Sequence, residues 1–298
     1  MKRFSPQHFS FRTARWRRLG MAAIASSMLA LHGAGASSAF ADLILTSEVP
    51  GSSEPKIQGD LKEIAKTYSP ASTFKIIITF AAVENEVANA YTVLKAPDRE
   101  KLAGKTDLNG REAMFFSSNE YYLHLMERLS PQTVVDMAKR CGFGNAVGDD
   151  AAPMKANAKD WGHGGRIIYI SPAQQHTFMR EFAAARLPLK PHTMEETLKT
   201  MEWPGRAGYK VYAKSGSFDK IFWFTGMAVK EGAPTRVITV LVTAKDGTRD
   251  QAIQRFYEQL GPPAAGEPAI PQKPDPLPPA PQQSAPAEKK QPAVPTGS

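Results

Sequence analysis

The sequence predicts an α+β domain, with helices packed on a mainly antiparallel sheet, over residues 42–260. The prediction depends on the order of three patterns along the chain. A short strand comes first, a long helical middle follows, and three successive strands precede a last helix. Successive strands without helices between them pair as antiparallel neighbours, so the meander predicts most of the sheet.

Residues 1–41 have the three parts of a secretory signal. Six Lys or Arg side chains precede an apolar run at 19–31, and Ala39-Phe40-Ala41 supplies a small-x-small cleavage site. The apolar run is shorter than the roughly 20 residues that span a bilayer. We therefore expect a secreted or periplasmic protein that begins near Asp42 and is not inserted in the membrane after cleavage. An uncleaved membrane anchor is the alternative.

Removal of the signal lowers the formal net charge from +8 to +2, because 1–41 contains no Asp or Glu. A nearly balanced mature chain gives no electrostatic reason to expect nucleic acid as a partner. Cys141 is the only cysteine, which excludes an intramolecular disulfide. We interpret it as a small buried residue.

Residues 261–298 are rich in Pro, Ala and Gln and nearly lack large apolar side chains. Such a segment cannot bury enough surface to offset its ordering entropy, so we expect a disordered, partly polyproline II tail. A spacer, a docking segment near the cell wall and a tail without function all remain open.

The elements of residues 42–260 are predicted from apolar periodicity and capping residues. Helical spacing and a Ser or Thr at a capping position favour a helix at 72–90, although its Ile-Ile-Ile run also fits a buried strand. Further helices are expected at 112–129, 130–140, 171–185 and 249–260, and strands at 42–46, 211–217, 221–230 and 236–245.

Ser72-Thr73-Phe74-Lys75 raises the main functional question. On a helix, residues three apart lie on one face, so Ser72 Oγ and Lys75 Nζ can meet. A neutral lysine can take the proton of a serine nucleophile, and burial near a helix start favours the neutral amine. Helix capping by Ser72 with a solvated Lys75 is the alternative. Two other Ser-x-x-Lys sequences, at 53–56 and 217–220, lie in unsuitable contexts.

Two further motifs follow in order. Ser117-Ser118-Asn119 places a hydroxyl and a carboxamide at a helix start, where Ser117 can pass a proton to a leaving nitrogen. Lys214-Ser215-Gly216 lies on a predicted strand. There Lys and Ser can bind a substrate carboxylate, and Gly allows the substrate backbone to approach. The amides of Ser72 and Ser217 could form an oxyanion hole.

In this order, the three motifs resemble those of the serine β-lactamase and penicillin-binding protein superfamily. The sequence around Ser72, the Phe143-Gly144-Asn145 element and Trp161 are similar to those of class D β-lactamases. This resemblance implies that Lys75 carries a carbon dioxide-derived carbamate, held by Trp161, as the base of both acylation and deacylation. Trp161 as a packing anchor is the alternative. The superfamily also suggests that Arg249 binds the carboxylate, whereas an exposed charge at a helix start is the plainer interpretation.

The leading hypothesis is an exported serine hydrolase that opens β-lactam rings through an acyl-enzyme on Ser72. The first alternative is a D,D-peptidase-like penicillin-binding protein that acts on peptidoglycan stem peptides. Asn119 favours it, because class D enzymes usually have an apolar residue there. The second is a non-catalytic wall-binding or sensor module of the same fold. The histidine spacing does not fit a zinc site, and we expect no metal and no other cofactor.

Overall fold

The computed structural model describes residues 42–52, 54–144 and 168–280. The predicted signal, Asn145, Trp161 and the last part of the tail lie outside these residues. In the described part of the chain, no helix is long and apolar enough to cross a bilayer.

A six-stranded antiparallel sheet forms the centre of the domain. Its strands are β1 (Asp42–Val49), β2 (Lys56–Gly59), β5 (Glu202–Arg206), β6 (Tyr209–Phe218), β7 (Ile221–Val229) and β8 (Thr235–Val242). They lie in the order β2-β1-β8-β7-β6-β5. Two short strands, β3 (Leu94–Lys95) and β4 (Asp107–Leu108), form a separate pair.

Helices cover both faces of this sheet. They are α1 (Lys75–Glu84), α2 (Glu100–Ala103), α3 (Gly110–Phe116), α4 (Asn119–Arg128), α5 (Pro131–Arg140), α6 (Pro172–Ala183), α7 (Pro191–Met201) and α8 (Arg249–Glu258). Three short 3-10 helices lie at Leu61–Glu63, Ala71–Phe74 and Pro97–Arg99.

The strands alternate between two hydrophobic cores, because successive side chains of a strand point to opposite faces. Leu43 and Leu45 face the core that contains α1, α4, α5 and α6. Ile44, between them, faces the smaller core under α8, with Phe224 and Phe256. The predicted α+β class, with helices on a mainly antiparallel sheet, is confirmed.

The single helix expected at 112–129 is wrong. The structure has two helices, α3 and α4, which are separated at Ser117. Ser117 has φ 57° and ψ 44°, in the left-handed region, so the α-helical path ends there. Ser118 then caps α4 by accepting a hydrogen bond from the amide of Tyr121. The break places the hydroxyls of Ser117 and Ser118 and the carboxamide of Asn119 at a corner between α3 and α4.

The helix expected at 72–90 begins as a 3-10 turn and ends at Glu84 as α1. Neither segment has a side-chain cap, so the capping role considered for Ser72 is not observed. Helix α7 was not predicted, because its buried face mixes Thr193, Thr197 and Thr200 with Met194 and Met201 instead of carrying a continuous apolar stripe. Strand β2 is exposed throughout, and β5 contains Pro204 and Gly205, so neither has a normal strand pattern.

Residues 261–280 lie against the domain, which differs from the disorder expected for this part of the tail. Two buried arginines donate to backbone carbonyls of the tail. Arg206 Nη2 binds Pro268 O at 2.7 Å, and Arg111 Nη1 binds Asp275 O at 3.1 Å. The tail therefore docks largely through its backbone oxygens, which composition does not reveal, and Ile270 also packs against the smaller core.

Candidate active site

The 3-10 helix Ala71–Phe74 presents Ser72 at the edge of the sheet. Thr73 Oγ1 donates to Pro70 O at 2.7 Å, and Trp223 Nε1 on β7 donates to Ser69 O at 2.9 Å. The first bond closes the turn, and the second attaches it to the sheet. Gly216 on β6 packs so closely that a Cβ there would lie 2.8 Å from Pro70 O. The glycine is required for this approach.

Lys75 is the first residue of α1 and is 1 % exposed. Its amine lies among oxygen atoms of Ser72, Ser117 and Asn119, which the first two motifs predicted to lie close to it. Nζ is 3.2 Å from Ser72 Oγ, 3.3 Å from Ser117 Oγ and 2.7 Å from Asn119 Oδ1. It is also 3.0 Å from the Ser117 carbonyl oxygen. The lysine therefore connects the nucleophile candidate to the corner between α3 and α4.

Burial favours the neutral form of the Lys75 amine. Desolvation holds the pKa of its amine well below the ordinary value of a lysine, and the charges of Arg99 and Arg249 lower it further, whereas Asp98 opposes them. A neutral amine has two hydrogens and one lone pair. The two carbonyl oxygens, of Ser117 and Asn119, accept the hydrogens. The lone pair is then free to accept the hydroxyl hydrogen of Ser72.

The corner at Ser117 is held by the preceding 3-10 helix, Pro97–Arg99. Ser118 Oγ donates to Asp98 Oδ1 at 2.6 Å, and the amide of Asn119 donates to Asp98 Oδ2 at 2.8 Å. Arg99 Nη2 donates to Ser117 O at 2.8 Å. Asp98 and Arg99 thus bind three consecutive residues of the second motif.

Strand β6 supplies the third motif. Lys214 is fully buried and donates to Ser117 Oγ at 2.9 Å. Desolvation, followed by the charges of Lys75 and Arg249, holds the pKa of Lys214 well below its usual value. Arg249, at the start of α8, donates from Nε to Ser215 Oγ at 3.0 Å. Lys214 Nζ lies 3.5 Å from the same Ser215 Oγ, so an amine, a hydroxyl and a guanidinium lie side by side here.

The hairpin between β6 and β7 orients the amide of Ser217. A two-residue turn, Asp219-Lys220, joins Phe218 to Ile221, which are directly opposed. In such a hairpin the closing pair is hydrogen-bonded and the next pair is not. The Ser217 amide therefore points away from β7.

A family model for the penicillin-binding protein transpeptidase domain matches residues 46–260. The chain belongs to this family. Solved β-lactamases share the fold of this transpeptidase domain. The BPu1 β-lactamase has a TM-score of 0.63 at 18% identity, over 73% of this chain and 91% of that one. A class D β-lactamase from Bacillus subtilis has a TM-score of 0.62 at 19% identity, over 74% and 92%. The OXA-427 class D β-lactamase has a TM-score of 0.58 at 22% identity, over 74% and 98%.

The transpeptidase fold brings most of the predicted site residues together. Ser72, Lys75, Ser117 and Asn119 converge, and Lys214 and Ser215 adjoin them. Arg249 contacts Ser215, so the plainer interpretation of an exposed charge is wrong. The proposed partner of Lys75, Trp161, lies outside the described residues. Phe143 is a buried packing residue between Phe74 and Phe178.

Asp98 and Arg99 belong to the site but were not predicted from the sequence. Pro97-Asp98 is a typical turn pair, which predicts a turn and nothing more. Their contacts with residues 117–119 depend on how β3 and the 3-10 helix Pro97–Arg99 pack on α4. No spacing rule in the sequence connects the two segments.

Proposed function

We propose that this protein is an exported serine hydrolase that opens β-lactam rings through an acyl-enzyme on Ser72. The observation that carries the proposal is the 3.2 Å contact between Ser72 Oγ and the buried amine of Lys75. Both hydrogens of the neutral amine have carbonyl acceptors, so its lone pair is available to the hydroxyl. This is the arrangement that a general base requires.

Acylation then follows from the positions of these groups. Ser72 Oγ bonds to the lactam carbonyl carbon as its proton passes to Lys75. The carbon–nitrogen bond of the ring breaks, and Ser117 Oγ gives its proton to the nitrogen. Lys75, 3.3 Å from Ser117 Oγ, passes the proton it took from Ser72 to Ser117 and is neutral again. Lys214, Ser215 and Arg249 bind the substrate carboxylate, and the amides of Ser72 and Ser217 bind the oxyanion. Water then hydrolyses the ester and regenerates Ser72.

The identity of the base is part of the proposal. The contacts support the free amine of Lys75. A carbamate would leave one hydrogen on Nζ for two carbonyl acceptors, and would place anionic oxygens beside the oxygens of Ser117 and Asn119. The carbamate inferred from the class D resemblance stays a prediction, and the effect of bicarbonate on turnover distinguishes the two bases.

A second candidate function is a D,D-peptidase-like penicillin-binding protein that acts on peptidoglycan stem peptides. The contact of Asn119 Oδ1 with Lys75 Nζ, at 2.7 Å, favours it, because a carboxamide is held here where class D enzymes usually have an apolar side chain. Both candidates form the same acyl-enzyme. They differ in how fast water removes the acyl group.

Intact-mass measurement over time, after mixing the mature protein with benzylpenicillin, tests these functions. A transient adduct with steady substrate loss supports the β-lactamase, and a persistent adduct supports the penicillin-binding protein. Ser72→Ala removes the nucleophile and should give no adduct. Ser130→Ala, at an exposed helix cap, should label like the wild type. A wild-type protein that forms no adduct contradicts both functions and leaves the non-catalytic module.

A further inference from the structure

The 3-10 helix Pro97–Arg99 contacts the Ser117 corner with two opposite charges. Asp98 accepts from Ser118 Oγ and from the amide of Asn119. By accepting these two hydrogen bonds, its carboxylate fixes the start of α4. Arg99 has a different target, since its Nη2 donates to the carbonyl oxygen of Ser117 at 2.8 Å.

Ser117 needs this support because its backbone is strained. Its φ of 57° lies in the left-handed region, which costs a residue with a Cβ about 1 kcal/mol or more. The conformation turns its carbonyl oxygen toward both Arg99 and Lys75. A carbonyl that points elsewhere would leave one hydrogen of the Lys75 amine without an acceptor.

Lys75 and Arg99 donate to the same oxygen atom. Lys75 Nζ lies 3.0 Å from Ser117 O and Arg99 Nη2 lies 2.8 Å from it. The amine and the guanidinium are therefore close neighbours, and the side chain of Arg99 is only 26 % exposed, which limits screening by water.

We propose that Arg99 is a positioning residue for acylation: its guanidinium fixes the Ser117 carbonyl beside Lys75 and places a permanent cation next to that amine. The inference rests on the proposed acylation of Ser72 and deepens it. Arg99 touches neither the substrate nor Ser72, and acts through Ser117 and Lys75.

The charged and titratable groups that face Lys75 come from four elements. Lys214 of β6 and Arg249 of α8 are cationic when protonated, Asp98 is anionic, and the Tyr122 ring of α4 lies 5.4 Å from Nζ. After desolvation, Arg99 is the largest influence that lowers the pKa of Lys75. Arg99 therefore opposes the ammonium form, which cannot accept the proton of Ser72.

The test is the rate constant of acylation by a fluorescent penicillin, measured against pH for wild type, Arg99→Gln and Arg99→Lys. Arg99→Gln should slow acylation about tenfold or more at neutral pH. This loss is a part of the roughly 10²- to 10⁴-fold acceleration that general-base catalysis usually gives. The substitution should also move the acidic limb of the profile to higher pH, because the base now stays protonated to higher pH. Arg99→Lys keeps the charge, so the limb should return toward its wild-type position.

Lys101→Gln, which removes a charge from exposed α2, is the matched control and should leave rate and profile unchanged. A folded Arg99→Gln protein with the wild-type rate and profile would overturn the inference. If Arg99→Gln does not fold, Arg99→Lys decides, since the loss of the planar donor should still slow acylation. A wild-type protein that does not label contradicts the proposed function itself, whereas labelling of wild type and Arg99→Gln at one rate contradicts only the role of Arg99.

Discussion

Two buried lysines lie within hydrogen-bonding distance of one hydroxyl, Ser117 Oγ. Neither Lys75 nor Lys214 has a carboxylate partner within ion-pair distance among the described residues. Burial of an unpaired ammonium is costly, so both amines are pushed toward their neutral forms. Two such side chains at one point are unfavourable for stability, and they are suited to the proton transfer proposed for this site.

Lys75→Met tests this separation of function from stability. We expect acylation by a penicillin to fall about 10²- to 10⁴-fold, as for loss of a general base. The melting temperature should stay equal or rise, because an apolar side chain of similar length replaces a desolvated amine. Labelling rates and thermal denaturation measure the two effects. Retention of the wild-type labelling rate would contradict the role of Lys75, and Lys101→Met, on exposed α2, controls for the same substitution away from the site.

At the scale of elements, α6 is joined to the sheet by a buried polar chain. His176 contacts Ser47 Oγ on β1 at 3.0 Å and Thr239 Oγ1 on β8 at 3.2 Å. Thr239 in turn contacts Thr225 of β7 at 2.9 Å. Burial lowers the pKa of His176 to about 3, with a further contribution from Arg180. The imidazole is therefore neutral in the folded protein across the usual pH range.

This histidine makes stability depend on pH. The unfolded chain binds a proton at His176 below pH about 6.5, whereas the folded chain does not until about pH 3. Stability from this group is complete above the unfolded pKa and falls by about 1.4 kcal/mol for each pH unit below it. Urea unfolding between pH 7 and 4 should show a flatter dependence for His176→Gln than for wild type. Exposed His124→Gln should keep the wild-type slope, and equal slopes in all three proteins would refute the assignment.

The docked tail is the second feature at this scale. Arg111 of α3 is 3 % exposed and donates to the carbonyls of Asp275 and Pro276, to Lys199 O, and to Glu202. Arg206 of β5 likewise binds Glu267 and two tail carbonyls. Removal of the tail would take away these acceptors of Arg206 and both acceptors of Arg111 Nη1, whereas Arg111 would keep Lys199 O and Glu202.

A chain that ends at Leu260 should therefore be less stable than one that ends at Ala280. We expect a loss of about 1–3 kcal/mol for each arginine that loses its acceptors. Urea unfolding of the two truncated proteins measures the difference. Equal midpoints would mean that residues 261–280 do not stabilise the domain in solution.

The sequence predicted which residues converge at the candidate site better than it predicted the elements around them. The three motifs identified Ser72, Lys75, Ser117, Asn119 and Lys214, because each chemistry needs particular residue types in a particular order. The motifs do not include Asp98 or Arg99, because the contacts of these two residues depend on the tertiary fold and not on their spacing in the sequence. The docked tail escaped prediction because its partners, Arg111 and Arg206, are buried cations that bind backbone oxygens, which every sequence contains.

At the scale of the whole molecule, the site assembles from four separate parts of the chain. The turn before α1 supplies Ser72, the corner between α3 and α4 supplies Ser117, β6 supplies Lys214, and α8 supplies Arg249. The sheet fixes β6 between β5 and β7, while the two cores fix helices on either side. No single segment contains the site, so its geometry depends on the complete fold.

Burial holds the pKa of Lys214 well below its usual value, so we expect Lys214 to couple ligand binding to proton uptake. A carboxylate placed beside it favours the ammonium, so binding draws a proton from the solvent. Affinity for an anionic ligand should then rise as pH falls, while acylation, which needs neutral Lys75, should slow. Calorimetry of penicillin binding to Ser72→Ala, in buffers with different ionisation enthalpies, counts the protons taken up. Lys214→Met should abolish this uptake, and an enthalpy that is independent of buffer in the Ser72→Ala protein would contradict the coupling.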